Sequence, residues 1–267
     1  MQTWQQVIEA IRQVQTRKGR AVFGRYAIEG TRHLERAIRA KLPLQHIVTT
    51  QTFWTSSDDR IQALRTDIEA QVIPVAIAPD ESLKELVRGR KLGAIVGLAP
   101  LRQPPTLTTL MADDAQLLVL VNVVEPGNVG AMIRTAHGLG ATGCVTIGSS
   151  DPFHPKAVRT AMGSLFKLPV VQFADEQEAI ASLKSAGYTL YGSVSQDGVS
   201  LPAAQFPSGA KAILMGSEFY GLSAETTAQC DHLLTIPMGN SIDSFSVSAA
   251  AAILLYAVSY PTAPNQM

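Results

Sequence analysis

Beyond residue 114 the chain alternates short, almost wholly apolar runs with helix-length amphipathic ones, and that alternation leaves few folds open. Runs at residues 117–124, 144–147, 170–173, 189–194, 212–215 and 233–236 read as strands. Helical spacing lies between them at about residues 129–138, 155–164, 176–186, 224–229 and 244–260. A strand that is apolar at consecutive positions is buried on both faces, as in a parallel sheet covered by helices on either side. Ligands of such sheets bind beyond the carboxyl ends of the strands, which directs attention to the loops after Val124, Val194, Met215 and Ile236.

The region before this is a smaller α/β domain. Helical patterns at residues 4–15, 31–40 and 58–70 mix with short strands at 46–50, 72–77 and 94–98. A proline-rich run, LAPLRQPPTLTT at residues 98–109, shows neither period and reads as a linker. The predicted organisation is therefore residues 1–98, a linker at 99–113, and a second domain at 114–267.

The formal net charge of zero hides an asymmetry: residues 1–102 carry 16 basic and 10 acidic side chains, and residues 103–267 carry 6 and 12. Polyanion binding depends on local charge, through release of phosphate counterions, so the N-terminal part is the candidate platform for a nucleic acid. A solvated helical face would carry the same charges. Near the N-terminus Arg12, Arg17, Lys18 and Arg20 interrupt every apolar stretch. The longest late apolar run, residues 249–258, has core length, so no membrane span or targeting segment is expected and the cytoplasm is the default. Cys144 and Cys230 form no CxxC pair, which argues against a zinc site or disulfide framework and suits a reducing compartment.

One glycine pattern misleads. Gly138-Leu-Gly140-Ala-Thr-Gly143 matches GxGxxG, but it closes a helix and precedes a strand, the reverse of the dinucleotide-binding order. A nucleotide-dependent oxidoreductase is thereby set aside. Three other segments carry more. In NVVEPGNVGAMIRTA, residues 122–136, a strand ends, Asn128 is placed to cap the next helix, and Arg134 leans back over the nearly bare Gly130 and Ala131. In ILMGSEFYGLS, residues 213–223, a strand delivers Gly216, Ser217 and Glu218 into a loop that permits close backbone approach. Glu218 could orient Arg134 or a hydroxyl. In LTIPMGNSIDSFSVSAAAAILLYA, residues 234–257, a polar loop leads into a small-residue helix with Ser244, Ser246 and Ser248 at its start. Each segment also has a plain structural reading: an ordinary cap with a surface arginine, a glycine turn, and a capped buried helix.

Taken in this order, the three segments resemble the SpoU (TrmH-like) branch of the SPOUT RNA 2′-O-ribose methyltransferases, over roughly residues 115–260. RTAMGSLFKLPVV, residues 159–171, fits as well, and RYAIEGTRHLERAI, residues 25–38, looks like the family's appended substrate-binding domain. The resemblance implies a trefoil knot at the C-terminal end of the parallel sheet, a homodimer, and S-adenosyl-L-methionine held bent in loops of the knot. It implies that Gly216, Ile236, Met238 and Phe245 line the cofactor, and that Asn128, Arg134, Glu218, Ser244 and Ser246 fall on active-site positions. The implied reaction is methylation of a ribose 2′-hydroxyl in RNA, ribosomal RNA before transfer RNA. The third motif of the family reads IPMxGxxxSLNVS, whereas this chain has IPMGNSIDSFSVS: Asn240 stands for a glycine, Phe245 for a leucine and Ser246 for an asparagine. That last change leaves a second reading open, an RNA-binding protein that keeps the knotted fold but transfers methyl groups weakly.

Overall fold

The computed structural model describes residues 2–86, 94–239 and 244–260. They form two compact units, one of Met1–Gln103 with Phe153–Phe166, the other of Pro104–Pro152 with Lys167–Met267.

The first unit opens with α1 (Trp4–Gln13), started by a capping box in which Thr3 and Gln6 bond each other's backbone amides. Its apolar face, Val7, Ile8, Ala10 and Ile11, is buried. There follow α2 (Arg17–Phe23), β1 (Arg25–Glu29), α3 (Thr31–Arg39), β2 (His46–Thr50), α4 (Gln51–Trp54), α5 (Asp59–Ala70), β3 (Val75–Ala78), α6 (Asp80–Leu86) and β4 (Ile95–Pro100). The sheet order is β1-β4-β2-β3, mixed, with β2 and β3 parallel. β1 was not anticipated as a strand. Its sequence, RYAIE, ends in a charge that looks exposed. Glu29 is nevertheless buried, and Arg159 donates to it at 2.9 Å.

The second unit carries β5 (Gln116–Val121), α7 (Pro126–Gly138) and β6 (Gly143–Ile147). The chain then makes the excursion Phe153–Phe166, with α8 (Pro155–Thr160), that belongs to the first unit. It returns through β7 (Val170–Phe173), α9 (Glu176–Ser185), β8 (Thr189–Ser193), β9 (Val199–Ser200), β10 (Lys211–Met215), α10 (Ala224–Gln229), β11 (His232–Thr235) and α11 (Val247–Ser259). All seven strands are parallel, in the order β7-β6-β5-β10-β8-β11-β9. Burial along β5 and β10 is almost continuous, as the apolar runs predicted. The core beneath the sheet includes Leu107 and Leu110 from the proline-rich stretch. Among the described residues no helix is long and apolar enough to cross a membrane.

Two helix starts and one helix end differ from the sequence reading. α7 begins at Pro126, with Glu125 as its cap, because proline at the first helical position has φ already set and no N–H to lose. Asn128 therefore lies inside the first turn and does not cap the helix. α8 stops at Thr160, and α11 begins at Val247 with Ser246 as its cap, leaving Ser244 outside the helix. The GxGxxG segment falls as expected, with Gly138 ending α7 and Gly143 opening β6.

Candidate active site

The order of the seven-stranded sheet puts a reversal between β5 and β10. From β5 the chain builds outward through β6 and β7; β8, β10 and β11 lie on the other side. At such a reversal the loops leaving the two central strands diverge and open a crevice at the carboxyl edge. The loops here are residues 122–125 after β5 and 216–221 after β10, so two of the three sequence motifs meet in one place.

Glu218 joins them. Its carboxylate accepts hydrogen bonds from the Val124 amide at 3.1 Å, the Glu125 amide at 3.2 Å and the Asn128 side-chain amide at 2.9 Å. Half-burial pushes its pKa up, but the Asn128 amide and the backbone amides of its own loop and of residues 124 and 125 outweigh this. The net effect is a carboxyl held below its ordinary value, charged and immobile at neutral pH. A glycine is required just before it. A Cβ at Gly216 would collide with the backbone of Gly221 and Leu222, because the loop folds back on itself there. Ser217 and Gly221 exchange two backbone bonds, at 3.1 and 3.0 Å, which fixes that turn.

Arg134 is exposed on α7, and no hydrogen bond or ion pair holds it among the described residues. Of the two partners expected for Glu218, Arg134 or a hydroxyl, neither is seen: it is occupied with Asn128 and the backbone. An unpaired guanidinium on a helix is available to an anion such as a phosphate. Ser246 accepts from the Ala249 amide at 3.3 Å and lies 3.5 Å from the Ser248 hydroxyl; Ser244 and Phe245 precede it, both exposed. Asn240 lies outside the described residues.

The segment after β11 suits a nucleoside-sized ligand. Ile236 and Met238 are partly exposed, and the backbone of residues 237–239 makes no hydrogen bond among the described residues. Backbone donors and acceptors beside apolar side chains are what a purine ring needs.

Sequence reading missed the residues that brace this edge. Asn122 sits at φ 54°, in the left-handed region that asparagine tolerates. Its side-chain amide donates to Glu176 at 3.1 Å, and its carbonyl oxygen accepts from the Ser149 amide at 3.2 Å. It lies so close to Gly148 that no larger residue fits there. Glu176 also accepts from Ser223 at 3.2 Å and from Thr226, and Ser150 accepts from the Val123 amide at 2.9 Å. The available signal was Asn122 itself, a polar residue directly after a six-residue apolar strand.

Comparison with known proteins identifies the family. Residues 115–256 match the SpoU rRNA methylase family, and residues 5–86 match an MRM3-like substrate-binding domain. The chain belongs to the SpoU rRNA methylase family. Among relatives of this SpoU protein, the 23S rRNA (guanosine-2′-O-)-methyltransferase RlmB of Acinetobacter baylyi is 31% identical over 81% of this chain and 90% of its own. The 23S rRNA (guanosine(2553)-2′-O)-methyltransferase RlmP of Bacillus subtilis is 27% identical over 94% and 95%. In fold, the SpoU methyltransferase AviRb of Streptomyces viridochromogenes, solved with AdoMet, superposes with a TM-score of 0.83 at 24% identity, covering 95% of this chain and 96% of its own. The mixed first unit and the all-parallel second unit are thus the architecture of SPOUT methyltransferases that carry an N-terminal domain.

Proposed function

We propose that this SpoU protein transfers a methyl group from S-adenosyl-L-methionine to a ribose 2′-hydroxyl of ribosomal RNA. The observation that carries the reading is the bonding of Glu218 to Asn128 and two backbone amides at the reversal point of the sheet, within a chain of this family. The relatives named above supply the substrate class: both are 23S rRNA ribose methyltransferases across nearly their whole length.

S-adenosyl-L-methionine supplies an electrophilic methyl on a sulfonium, so little acid–base work is needed and positioning dominates. Gly216, Ile236, Met238 and Phe245 would hold it, chiefly through backbone atoms and apolar contact. Arg134 would bind the phosphate beside the target ribose and polarise the hydroxyl; a guanidinium keeps its proton at ordinary pH, which favours this role over that of a base. Asn128, fixed by Glu218, would present its carbonyl oxygen to the sugar. Ser246 would set the start of α11 beside the ligand, with Ser244 just outside the helix. An RNA-binding protein without transfer is the weaker reading, since Asn128, which would meet the sugar, is already fixed by Glu218.

The reading extends to the assembly and its setting. The basic first unit, residues 1–98 in the main, would hold RNA; residues 99–113 connect it to the methyl-transferring unit of residues 114–267, with its loops knotted. A homodimer fits the outer face of α11, where Tyr256 and Tyr260 are 60% and 56% exposed with ring centroids 5.1 Å apart. The cytoplasm is the compartment that fits this reading. The test is incubation of purified protein with methyl-labelled S-adenosyl-L-methionine and ribosomal RNA from a strain lacking the gene. Label on a 2′-O-methylnucleoside is expected; label only on bases, or none, would refute the proposal.

A further inference from the structure

The loop that carries Glu218 ends in two aromatic residues that stand uncovered among the described residues. Tyr220 is 92% exposed and Phe219 84%. No large hydrophobic side chain among the described residues is more exposed than Tyr220. They are not on a loose segment. The Ser217–Gly221 bridge closes the turn below them, the Ser217 hydroxyl accepts from the Tyr220 amide at 3.1 Å, and the Glu218 carboxylate ties the turn to the loop after β5. Val124, whose amide Glu218 binds, is itself 59% exposed, so the apolar surface continues along the same edge. Keeping two rings in water on a braced turn is unfavourable unless a ligand covers them.

We propose that Phe219 and Tyr220 form a stacking platform for an unpaired base of the RNA, beside the ribose that is methylated. This rests on the RNA methyl-transfer reading above. For a 2′-hydroxyl to enter the crevice, its nucleotide must leave a helical stack, and the neighbouring bases then need new faces to lie on. Aromatic side chains provide those faces to any base, without hydrogen-bond readout. Charge points the same way. Residues 104–152 and 167–267 carry 12 acidic and 4 basic side chains, so apart from Arg134 this unit is poorly suited to grip RNA by its phosphates. Glu218 directly precedes the rings in the chain, and its negative charge disfavours phosphate there while leaving uncharged bases unaffected. The platform therefore supplies a hold that salt does not screen, complementing the basic first unit.

The experiment compares the full-length protein with the Phe219→Ala/Tyr220→Ala double variant and with Phe219→Tyr/Tyr220→Phe. One arm follows single-turnover methyl transfer to ribosomal RNA from the deletion strain. The other follows fluorescence of a single-stranded oligoribonucleotide containing 2-aminopurine, which stacking on a ring quenches, at low and high salt. The alanine pair is expected to raise the RNA concentration for half-maximal rate by roughly 10-fold or more, with a saturating rate within a few-fold of wild type. It should lose the quenching at both salt concentrations, and the swapped aromatic pair should restore both. Affinity for S-adenosyl-L-methionine and the sedimentation coefficient should not change. Unchanged quenching and half-saturation in the alanine pair overturn the proposal. So does conversion of an assembled protein to monomers, which would give the rings to a second copy of the chain. Quenching without any transfer by wild type would uphold the platform and remove the methyl-transfer reading, so the two failures are distinguishable.

Discussion

The bond between Asn128 and Glu218 can be measured in isolation. Asn128→Ala removes one charge-assisted hydrogen bond of 2.9 Å, while Glu218 keeps its two backbone donors. A hydrogen bond to a charged group is worth about 1.5–3 kcal/mol, and half-exposure of this carboxylate favours the lower end. Glu218→Ala removes all three bonds but leaves Val124 and Glu125 amides that water reaches, for a loss of about 2–4 kcal/mol. In the double variant the Asn128 amide has already lost its partner, so the second substitution adds almost nothing. The expected coupling is about 1–2 kcal/mol, well above the roughly 0.5 kcal/mol within which independent sites add. For a unit of this size 1 kcal/mol moves the melting temperature by about 2–4 °C, so thermal unfolding of the four proteins resolves it. Because the folded-state pKa of Glu218 is lowered, its contribution is complete above the ordinary glutamate value and fades as pH falls through the folded one. The coupling should therefore hold from neutral pH down to about 5 and vanish under stronger acid. Additive losses at neutral pH would show that Glu218 does not hold Asn128, and the positioning argument would fall with it.

Arg134→Ala should lower single-turnover methyl transfer by roughly 100-fold or more while cofactor affinity stays within a few-fold; loss of cofactor binding with RNA binding intact would assign Arg134 to the wrong ligand. Ser246→Ala should cost about 0.5–2 kcal/mol through loss of the α11 cap, whereas Ser246→Asn should keep the stability, asparagine being as good a cap, and match or raise the transfer rate. A dead wild type revived by Ser246→Asn would instead make this chain a binding protein on an enzyme's fold. His33 supplies a pH test. Burial lowers its pKa, against the raising effect of the Arg159 and Glu29 carbonyls 3.1 and 3.0 Å from its ring nitrogens, with Arg36 and Arg159 lowering it further. The folded first unit thus prefers a neutral ring; its stability is full above about pH 6.5 and lost as pH falls below it. The melting temperature should drop between about pH 7 and pH 5, and His33→Gln should flatten part of that slope; an unchanged slope would clear His33 of the effect.

Much of the second unit is legible in the sequence because its signals are local. Val170–Phe173 and Ala224–Gln229 have the boundaries that periodicity gives them, and β5 and β10 announce themselves as unbroken apolar runs. Where local signals conflict, the structure departs from the reading. The Glu125-Pro126 pair starts α7 before its apolar period begins, and of the serines at the start of α11 it is Ser246 that caps it, so the helix starts later than its expected start near residue 244. β1 was invisible because what makes Glu29 burial tolerable is Arg159, 130 residues further on, delivered by a segment read as part of the other domain.

The candidate site follows the same division. Each of its candidate residues stands out by type and by following a strand in the chain: Asn128 and Arg134 after β5, Glu218 after β10, Ser246 after β11. Their partners do not, since Glu218 and Asn128 are 90 residues apart and no spacing rule connects them. What brings them together is strand order. β10 inserts beside β5 on the side that β6 and β7 leave free, and its register, Met215 opposite Leu120, puts both loops at the same height above the sheet. A one-residue slip of that pairing would reverse the inward and outward faces of β10 and move the Glu218 carboxylate off the Val124 and Glu125 amides. The apolar residues Ala212, Ile213, Leu214 and Met215, buried on both faces, are therefore as responsible for the site's geometry as the polar residues that form it.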